Sequence, residues 1–571
     1  MNQVESQPEV MEEPDKVPAS SEKDSVAGGW RVRALRIAIG LFAPFLLIGL
    51  VEAGLRIFGI GYPTDVTVPC TIQGRPAACY NLFFAAPFFP PGMIKTPQMY
   101  AIPAAKPPGT FRIVVLGESA AMGDPEPAFG FSRYLDVMLR ERYPDRKFEM
   151  VNTGSVAINS HVVLPIAKGL AKQRPDLFII YSGNNEVVGP YGPGTALTAG
   201  GMSLPVIRGS IFYHSTRIGQ LLTQVGTPKR EWGGMAMFLD KQVRASSPLM
   251  KYAYANFEQN LRDTIAVARE SGARVIVSTV ATNLMDCAPF TSLHREGLGP
   301  DALRSWSALV QQGAEQENAG SYAEALKLYL SAASIDSEYA ELEFRIARCL
   351  RALGDNSARE HFLRARDLDT LRFRADSQIN DINRAVARSS HGAELVDADA
   401  LFAQESQSGV AGSDLVYEHV HLTPRGSYLL ARAMFVQIAS QLPSAAGHSP
   451  QAKDVPSEAE CERLLAFTKY DHSRVVTEML RRLQEPPFTN QLNHSEQVFR
   501  LMMKADNANE SPNDTAAQYQ WAIARDPDDR ILHFNYGAFL YRYNPAAAEE
   551  QFRVARPFDG FPLVTPDGRV H

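Results

Sequence analysis

Five short apolar runs of strand-forming residues punctuate the middle of the chain, at Arg112–Leu116, Phe148–Asn152, Leu177–Tyr181, Arg274–Val280 and Ala393–Val396. Between them, apolar positions recur every three or four residues, as in "FSRYLDVMLRERY" and "FEQNLRDTIAVARESG", the spacing of amphipathic helices. Buried strands alternating with such helices predict a parallel sheet covered on both faces, an α/β fold in three layers. The alternation breaks between about 303 and 370, where Ala325, Tyr329 and Ala332 stand 33 positions before Ala358, Phe362 and Ala365. Small, aromatic, small at intervals of four and three is the packing seam of a helical hairpin. A similar seam returns near the carboxyl end, where Tyr519 and Ala522, followed by Pro527, recur at Phe552 and Ala555.

The amino-terminal region has a different pattern. Residues 1–29 are rich in Glu, Ser, Pro and Lys, the composition of a disordered tail. Arg31, Arg33 and Arg36 then lead into an uncharged run from Ile37 to Val51, which extends through "EAGLRIF" to Phe58. As a helix the run from Ile37 to Phe58 reaches about 33 Å, enough to cross a bilayer, and the membrane-spanning helix is placed at 35–58. Glu52 and Arg56 stand four apart and can pair near the far interface. The basic residues precede the span, so the tail is expected in the cytoplasm and everything after residue 60 outside it. A cleaved signal peptide, with small residues around Ala53, and a buried core helix are the competing readings of the same run. Residues 61–109, rich in Pro and aromatics, read as an extended connector. Within it Cys70 and Cys79 are close enough in sequence to bridge in an oxidising compartment.

Composition narrows the function classes. A net charge of -6 over 571 residues leaves no basic stripe, which argues against a nucleic-acid partner. The five cysteines show no CxxC or Cys/His cluster with metal-ligand spacing, so no structural zinc is expected; no other metal and no cofactor is expected either.

Chemistry gathers around "IVVLGESAAMGD" at 113–124, a strand that ends by presenting Ser119 at the carboxyl edge of a sheet, where open α/β folds bind ligands. The second strand ends in "VNTGSVAINS", with Gly154, and the third in "IIYSGNNEVVG", with Gly183, Asn185 and Glu186. Far downstream, "DLVYEHVHLTPRG" places Glu418 and His421 just before a helix start.

With Ser119 in "LGES", Gly154, Asn185 in "GNNE" and His421 in "EHVHLTPRG" in this order, the chain resembles the SGNH or GDSL serine hydrolase family. The nearer resemblance is to membrane-anchored bacterial members whose helical hairpins form tetratricopeptide repeats, a motif with a period of about 34. The resemblance implies a three-layer SGNH-type domain over 110–302 and 371–440, with repeats inserted at 303–370 and a second helical block at 455–558. It implies an exported esterase in which Ser119 is the nucleophile and His421 its base. The backbone N–H groups of Ser119 and Gly154 and the amide of Asn185 would form the oxyanion hole.

This chain departs from the family pattern at two positions. Glu118 stands where Asp or Gly is usual, at a position without a catalytic role. Glu418 stands where the orienting acid is usually Asp, and Asp414 is the fallback acid. The bland alternatives are Ser119 as a helix cap, Asn185 as a turn residue and His421 as a structural histidine. His419 and Glu186 are read as structural.

The substrate expected from location is an acyl ester on envelope or extracellular polysaccharide, with an unidentified protein partner on the repeats. Two rivals stand beside hydrolysis: an acyltransferase using the same acyl-enzyme, and a non-catalytic scaffold on a relic fold. The helical blocks carry packing residues and no reactive cluster, so they are expected to bind rather than to take part in chemistry.

Overall fold

The computed structural model describes residues 1, 23–94, 98–226, 230–406, 408–442, 454–505 and 510–561. It divides into two units, one of residues 1–62 with 216–222 and the other holding the rest. Most of the acidic leader lies outside the described residues.

The first unit is dominated by a helix over Lys23–Ile57. Its start lies ahead of the expected boundary because a helix once nucleated propagates cheaply into neighbouring residues. The part from Arg33 to Ile57, 25 residues with mean hydropathy 2.3, is long and apolar enough to cross a membrane, and none of its most apolar window is buried. Glu52 does pair with Arg56, at 2.8 Å. Its carboxylate also accepts the backbone N–H groups of Arg217 (3.0 Å) and Ile218 (3.1 Å), the free amides that open the helix Arg217–Gly226.

The second unit opens with a small antiparallel sheet in the order β1 (Thr67–Ile72), β2 (Arg75–Tyr80), β3 (Ala101–Pro103). The segment 61–109 is therefore not the extended connector that its prolines suggest. Its aromatics decide otherwise: Phe84, Phe88 and Phe89 are buried in the main core, and burying each ring fully contributes roughly 1.5–3 kcal/mol. Cys70 and Cys79 form a disulfide across this hairpin, while Cys287, Cys349 and Cys461 are buried free thiols.

The main sheet has five strands: β4 (Thr110–Gly117), β5 (Lys147–Asn152), β6 (Leu177–Tyr181), β7 (Arg274–Ser278) and β8 (Ala393–Val396). All neighbours are parallel, in the order β5-β4-β6-β7-β8. Ile113, Val114, Val115 and Leu116 are fully buried, as expected of a central strand covered on both faces. On one side the helix Phe131–Arg142 packs on Pro424–Gln441, and on the other Met250–Glu270 packs on Ser160–Ala171 and Ser377–Ser389. The chain leaves β4 for β5 and then returns past it to β6, so the topological switch lies at the carboxyl ends of β4 and β6. Ser119 follows β4 at that point.

Between β7 and β8, ahead of the sheet-covering helix Ser377–Ser389, come the helices Pro300–Asn318, Tyr322–Ile335, Ala340–Ala352 and Ala358–Leu368. The seam residues Ala325, Tyr329, Ala332, Ala358, Phe362 and Ala365 lie buried in one small core there. The carboxyl-terminal helices are not a single separate block. Val475, Met479, Leu483, Phe488 and Leu501 belong to the main core, and only further on do Tyr519, Leu532 and Phe539 form a core of their own. The amphipathic pattern marks which face of each helix is apolar, but not what that face will cover.

Candidate active site

The turn after β4 is fixed by contact with the end of β6. A Cβ on Gly117 would lie 2.0 Å from the carbonyl oxygen of Tyr181, so only glycine allows the two strands this approach. Glu118 then reaches across and accepts from Ser182 Oγ, Gly183 N and Asn184 N, each at 2.9 Å. Burial pushes its carboxyl up to about 7 despite these bonds. Glu118 is thus a staple between two strand ends. Glu186 is another: it accepts from the N–H (2.8 Å) and Oγ (2.7 Å) of Ser160 at a helix start, and burial raises it to about 8.

Ser119 opens a one-turn helix, Ser119–Met122, but its hydroxyl does not cap it. Ser119 Oγ lies instead 2.8 Å from His421 Nε2, and both residues are buried. His421 sits in a tight loop closed by the bridge Val416↔Leu422 and by the bond from Tyr417 N to His421 O at 2.8 Å. Thr423 caps the following helix through Gly426 N, so the loop is held at both ends.

Inside the loop the Glu418 carboxylate is surrounded by donors. Oε2 accepts the backbone N–H groups of His419, Val420 (2.9 Å) and His421 (3.2 Å), and Oε1 is bonded to His421 Nδ1. Burial alone would raise this carboxyl, but the imidazoles of His419 and His421 hold it well below the usual carboxylate range. An ionised carboxylate only accepts, so Nδ1 of His421 carries a proton and Nε2 faces the serine. Burial works against a charged His421 ring, yet Glu418, followed by Asp124, holds its titration above the ordinary value.

The expected site residues divide as follows. Ser119, His421 and Glu418 come together in a continuous chain of contacts. Asn185 joins them at the wall of the cavity, its Nδ2 donating to Ile158 O at 3.0 Å. Asp414 stands in a separate cleft with Lys469 and Lys504, away from the histidine. His419 is buried against Phe290, Phe373 and Phe488, and burial lowers its titration.

Gly154, expected as an oxyanion donor, directs its N–H away from the cavity. Its N–H is donated to Asn152 Oδ1 at 2.9 Å, and a Cβ there would meet Met122 N at 2.4 Å. That glycine serves close packing beneath the short helix, and the cavity wall is formed by Val156 and Ala157 instead. Ala157 has a left-handed backbone, φ 61°, uncommon for a non-glycine residue and concentrated where function constrains the chain. Alanine carries no sequence signal for that conformation, so the pattern alone could not find it.

A cavity of about 590 Å³ opens over Ser119 and His421, walled by Val188, Met235, Phe238, Phe373 and Phe488. Glu478, Arg481 and Arg482, from the carboxyl-terminal helix Lys469–Leu483, line it as well. That block was expected to stand apart from the chemistry; the structure instead builds it into the cavity wall. A larger cavity, about 780 Å³, is lined by Arg133, Arg140 and Asp529 and holds none of these site residues.

The carboxyl-terminal helix has its own support. Thr468 and Asp471 form a capping box at its start, and the buried Tyr519 hydroxyl donates to Asp471 Oδ2 at 2.7 Å. Tyr519→Phe is expected to cost about 1–3 kcal/mol, since a buried carboxylate loses a donor. A lower urea midpoint checks it; an unchanged midpoint would show that Asp471 does not depend on that hydroxyl.

Among the described residues, Glu418, His419 and His421 are the group whose donor atoms cluster closely enough, within 4.8 Å, to suggest a metal. The Glu418 oxygens, however, are taken by three backbone N–H groups and an imidazole. Both carboxylate oxygens therefore already have donors from the loop itself.

No protein-family model and no curated protein sequence matches the chain. Among solved structures, it is similar to an acetyl xylan esterase, with 10% identity over 57% of this chain and 100% of the other and a TM-score of 0.28. A GDSL-like lipase from Bacteroides thetaiotaomicron is similar at 9% identity over 58% and 89%, with a TM-score of 0.26. A catalytic mutant of an acetylxylan esterase from Geobacillus stearothermophilus is similar at 12% identity over 57% and 94%, with a TM-score of 0.24.

Proposed function

We propose that this protein is a membrane-anchored serine esterase whose nucleophile is Ser119. One observation carries the reading: an unbroken path from the Glu418 carboxylate through both nitrogens of His421 to Ser119 Oγ, at the wall of a cavity large enough for an acyl ester.

The chemistry follows from that path. His421 Nε2 takes the hydroxyl proton as Ser119 Oγ attacks the ester carbonyl carbon, and the carbonyl oxygen becomes an oxyanion. The Ser119 N–H, the Asn185 amide and the backbone at Ala157 are the donors proposed for it, Ala157 replacing Gly154 in that role. Collapse breaks the bond to the alcohol, which leaves with the proton from Nε2. Water then repeats the sequence on the acyl-enzyme, returning serine and releasing the acid. Glu418 stays ionised throughout, keeping the Nδ1 proton in place and balancing the imidazolium.

The apolar helix Arg33–Ile57 supports an anchor with its amino terminus in the cytoplasm and the catalytic unit outside. An extracytoplasmic site suits acyl groups on envelope or extracellular polysaccharide. The helical hairpins, read as tetratricopeptide-like repeats, are proposed to bind a protein partner.

A fluorophosphonate probe on the full-length protein tests the reading. It should modify Ser119 alone, and the protein should turn over short-chain aryl esters. Folded protein that neither reacts with the probe nor cleaves esters would leave the scaffold as the better reading.

A further inference from the structure

Of the carboxylates in the cavity to which the esterase reading gives no role, Asp124 is the one that faces the catalytic histidine. Asp124 follows the short helix that begins at Ser119, and its Oδ2 lies 3.2 Å from His421 Nε2, the nitrogen that also faces Ser119 Oγ. One ring nitrogen cannot serve both neighbours in one state. A neutral ring, its proton held on Nδ1 by Glu418, offers Nε2 as a lone pair: it accepts from Ser119 and meets Asp124 lone pair to lone pair. A protonated ring is a cation, and Glu418 and Asp124 then face it with negative charge from both ends. Asp124 therefore favours the form of His421 that cannot take the serine proton.

Arg482 holds Asp124 from its other side. Nη1 donates to Asp124 Oδ2, Nη2 donates to Oδ1 at 3.1 Å, and Nε donates to Glu478 at 2.8 Å. By sharing Oδ2, the guanidinium draws negative charge away from the ring. The charged groups about His421 are Glu418 and His419 on its own loop, Asp124 on the serine segment, and Glu478, Arg481, Arg482 and Glu485 on the carboxyl-terminal helix and the turn after it. Arg481 is closed on Glu478 and Glu485. Burial presses His421 toward neutrality, Glu418 and then Asp124 reverse that, and Arg482 opposes them.

We propose that Asp124 and Arg482 are a positioning pair that sets how readily His421 gives up its proton, and so couples the carboxyl-terminal helix to the base of the site. This rests on the assignment of Ser119 and His421 above. Whatever draws Arg482 off Asp124, including a movement of the helix Lys469–Leu483, shifts His421 toward its charged resting form. Whatever neutralises Asp124 frees the base.

The pH dependence of fluorophosphonate labelling at Ser119 in the full-length protein tests the pair without the natural substrate. In that reaction Oγ bonds to phosphorus, the phosphorus–fluorine bond breaks, fluoride leaves and the hydroxyl proton passes to His421. The acid limb of the labelling rate therefore follows the titration of the ring. Asp124→Asn is expected to move this limb to lower pH by about one unit, the size of effect a neighbouring opposite charge produces. Arg482→Met should move it to higher pH, and Arg482→Lys, which keeps the charge, should fall between Arg482→Met and the wild type. The double variant should lie with Asp124→Asn, because the arginine acts chiefly through the aspartate. Single variants that shift in the same direction, or that leave the limb in place while Ser119 still labels, overturn the pair and leave the esterase reading intact. Wild-type protein that is folded yet never labels overturns both. If Arg482→Met does not fold, Asp124→Asn still decides, since a limb at or above the wild-type position overturns the proposal.

Discussion

Replacing Ser119 with alanine should abolish fluorophosphonate labelling and lower turnover of short aryl esters by about 10⁴–10⁶-fold, the range seen when a serine nucleophile is deleted from a hydrolase. The change removes one oxygen from a buried position whose recorded side-chain partner is His421 Nε2. The folded state should hardly notice, because the loss is about one hydrogen bond, roughly 0.5–1.5 kcal/mol. A large kinetic loss with a nearly unchanged thermal midpoint is therefore the expected signature. If Ser119→Ala keeps most of the turnover, the reaction does not pass through a bond to this oxygen, and the proposed chemistry fails even if esters are still cleaved.

Glu418→Gln should lower turnover by about 10²–10⁴-fold while Ser119 stays in place, and the reason lies in how the carboxylate is held. Three backbone N–H groups point at Oε2 and the His421 ring points at Oε1. A glutamine must turn its carbonyl oxygen toward the three N–H groups, which leaves its NH₂ facing Nδ1. Nδ1 must then accept, the ring proton moves to Nε2, and the serine meets a donor where it needs an acceptor. The charge that balances imidazolium is lost as well. Labelling should slow in step with turnover, and its acid limb should move to lower pH because the protonated ring has lost its main stabiliser. Glu418→Asp should do less harm, since it keeps the charge and the loop must close by about one methylene. Asp414→Asn should be nearly silent, because Asp414 belongs to a different cleft. A silent Glu418→Gln with a damaging Asp414→Asn would reassign the acid without changing the roles of Ser119 and His421.

Local chemistry made much of this legible in the chain itself. The five strands of the main sheet fall where the short apolar runs stand, and only their ends differ: β4 extends from Thr110 to Gly117, β5 starts at Lys147 and β7 closes at Ser278 rather than Val280. A run such as Ile113–Leu116 has few other ways to bury itself, and the parallel arrangement follows from the helices between strands. Ser119, Glu418 and His421 each occupy a strand end or helix start that the sequence marks with Gly, Pro or Thr. Glu418 and His421 are three residues apart, so their pairing needs only a tight loop.

What sequence could not decide depends on residues distant in the chain. Residues 61–109 look like a linker by their prolines, yet the phenylalanines among them find a core supplied by other segments. Gly154 looks like a donor at a strand end, but Met122 and Asn152 claim its space and its N–H. Ala157 reaches the cavity through a left-handed turn that its side chain does not signal. Arg482 meets Asp124 across most of the chain, because the apolar face of Lys469–Leu483, with Val475 and Met479, buries itself in the main core. The strands of the main sheet, their order along the chain and the chemistry offered at their ends were legible because they rest on local periodicity and residue type. Which of the offered groups meet was settled by packing, because an apolar face is indifferent to its partner until close packing selects one, and the placing of every polar group beside it follows from that selection.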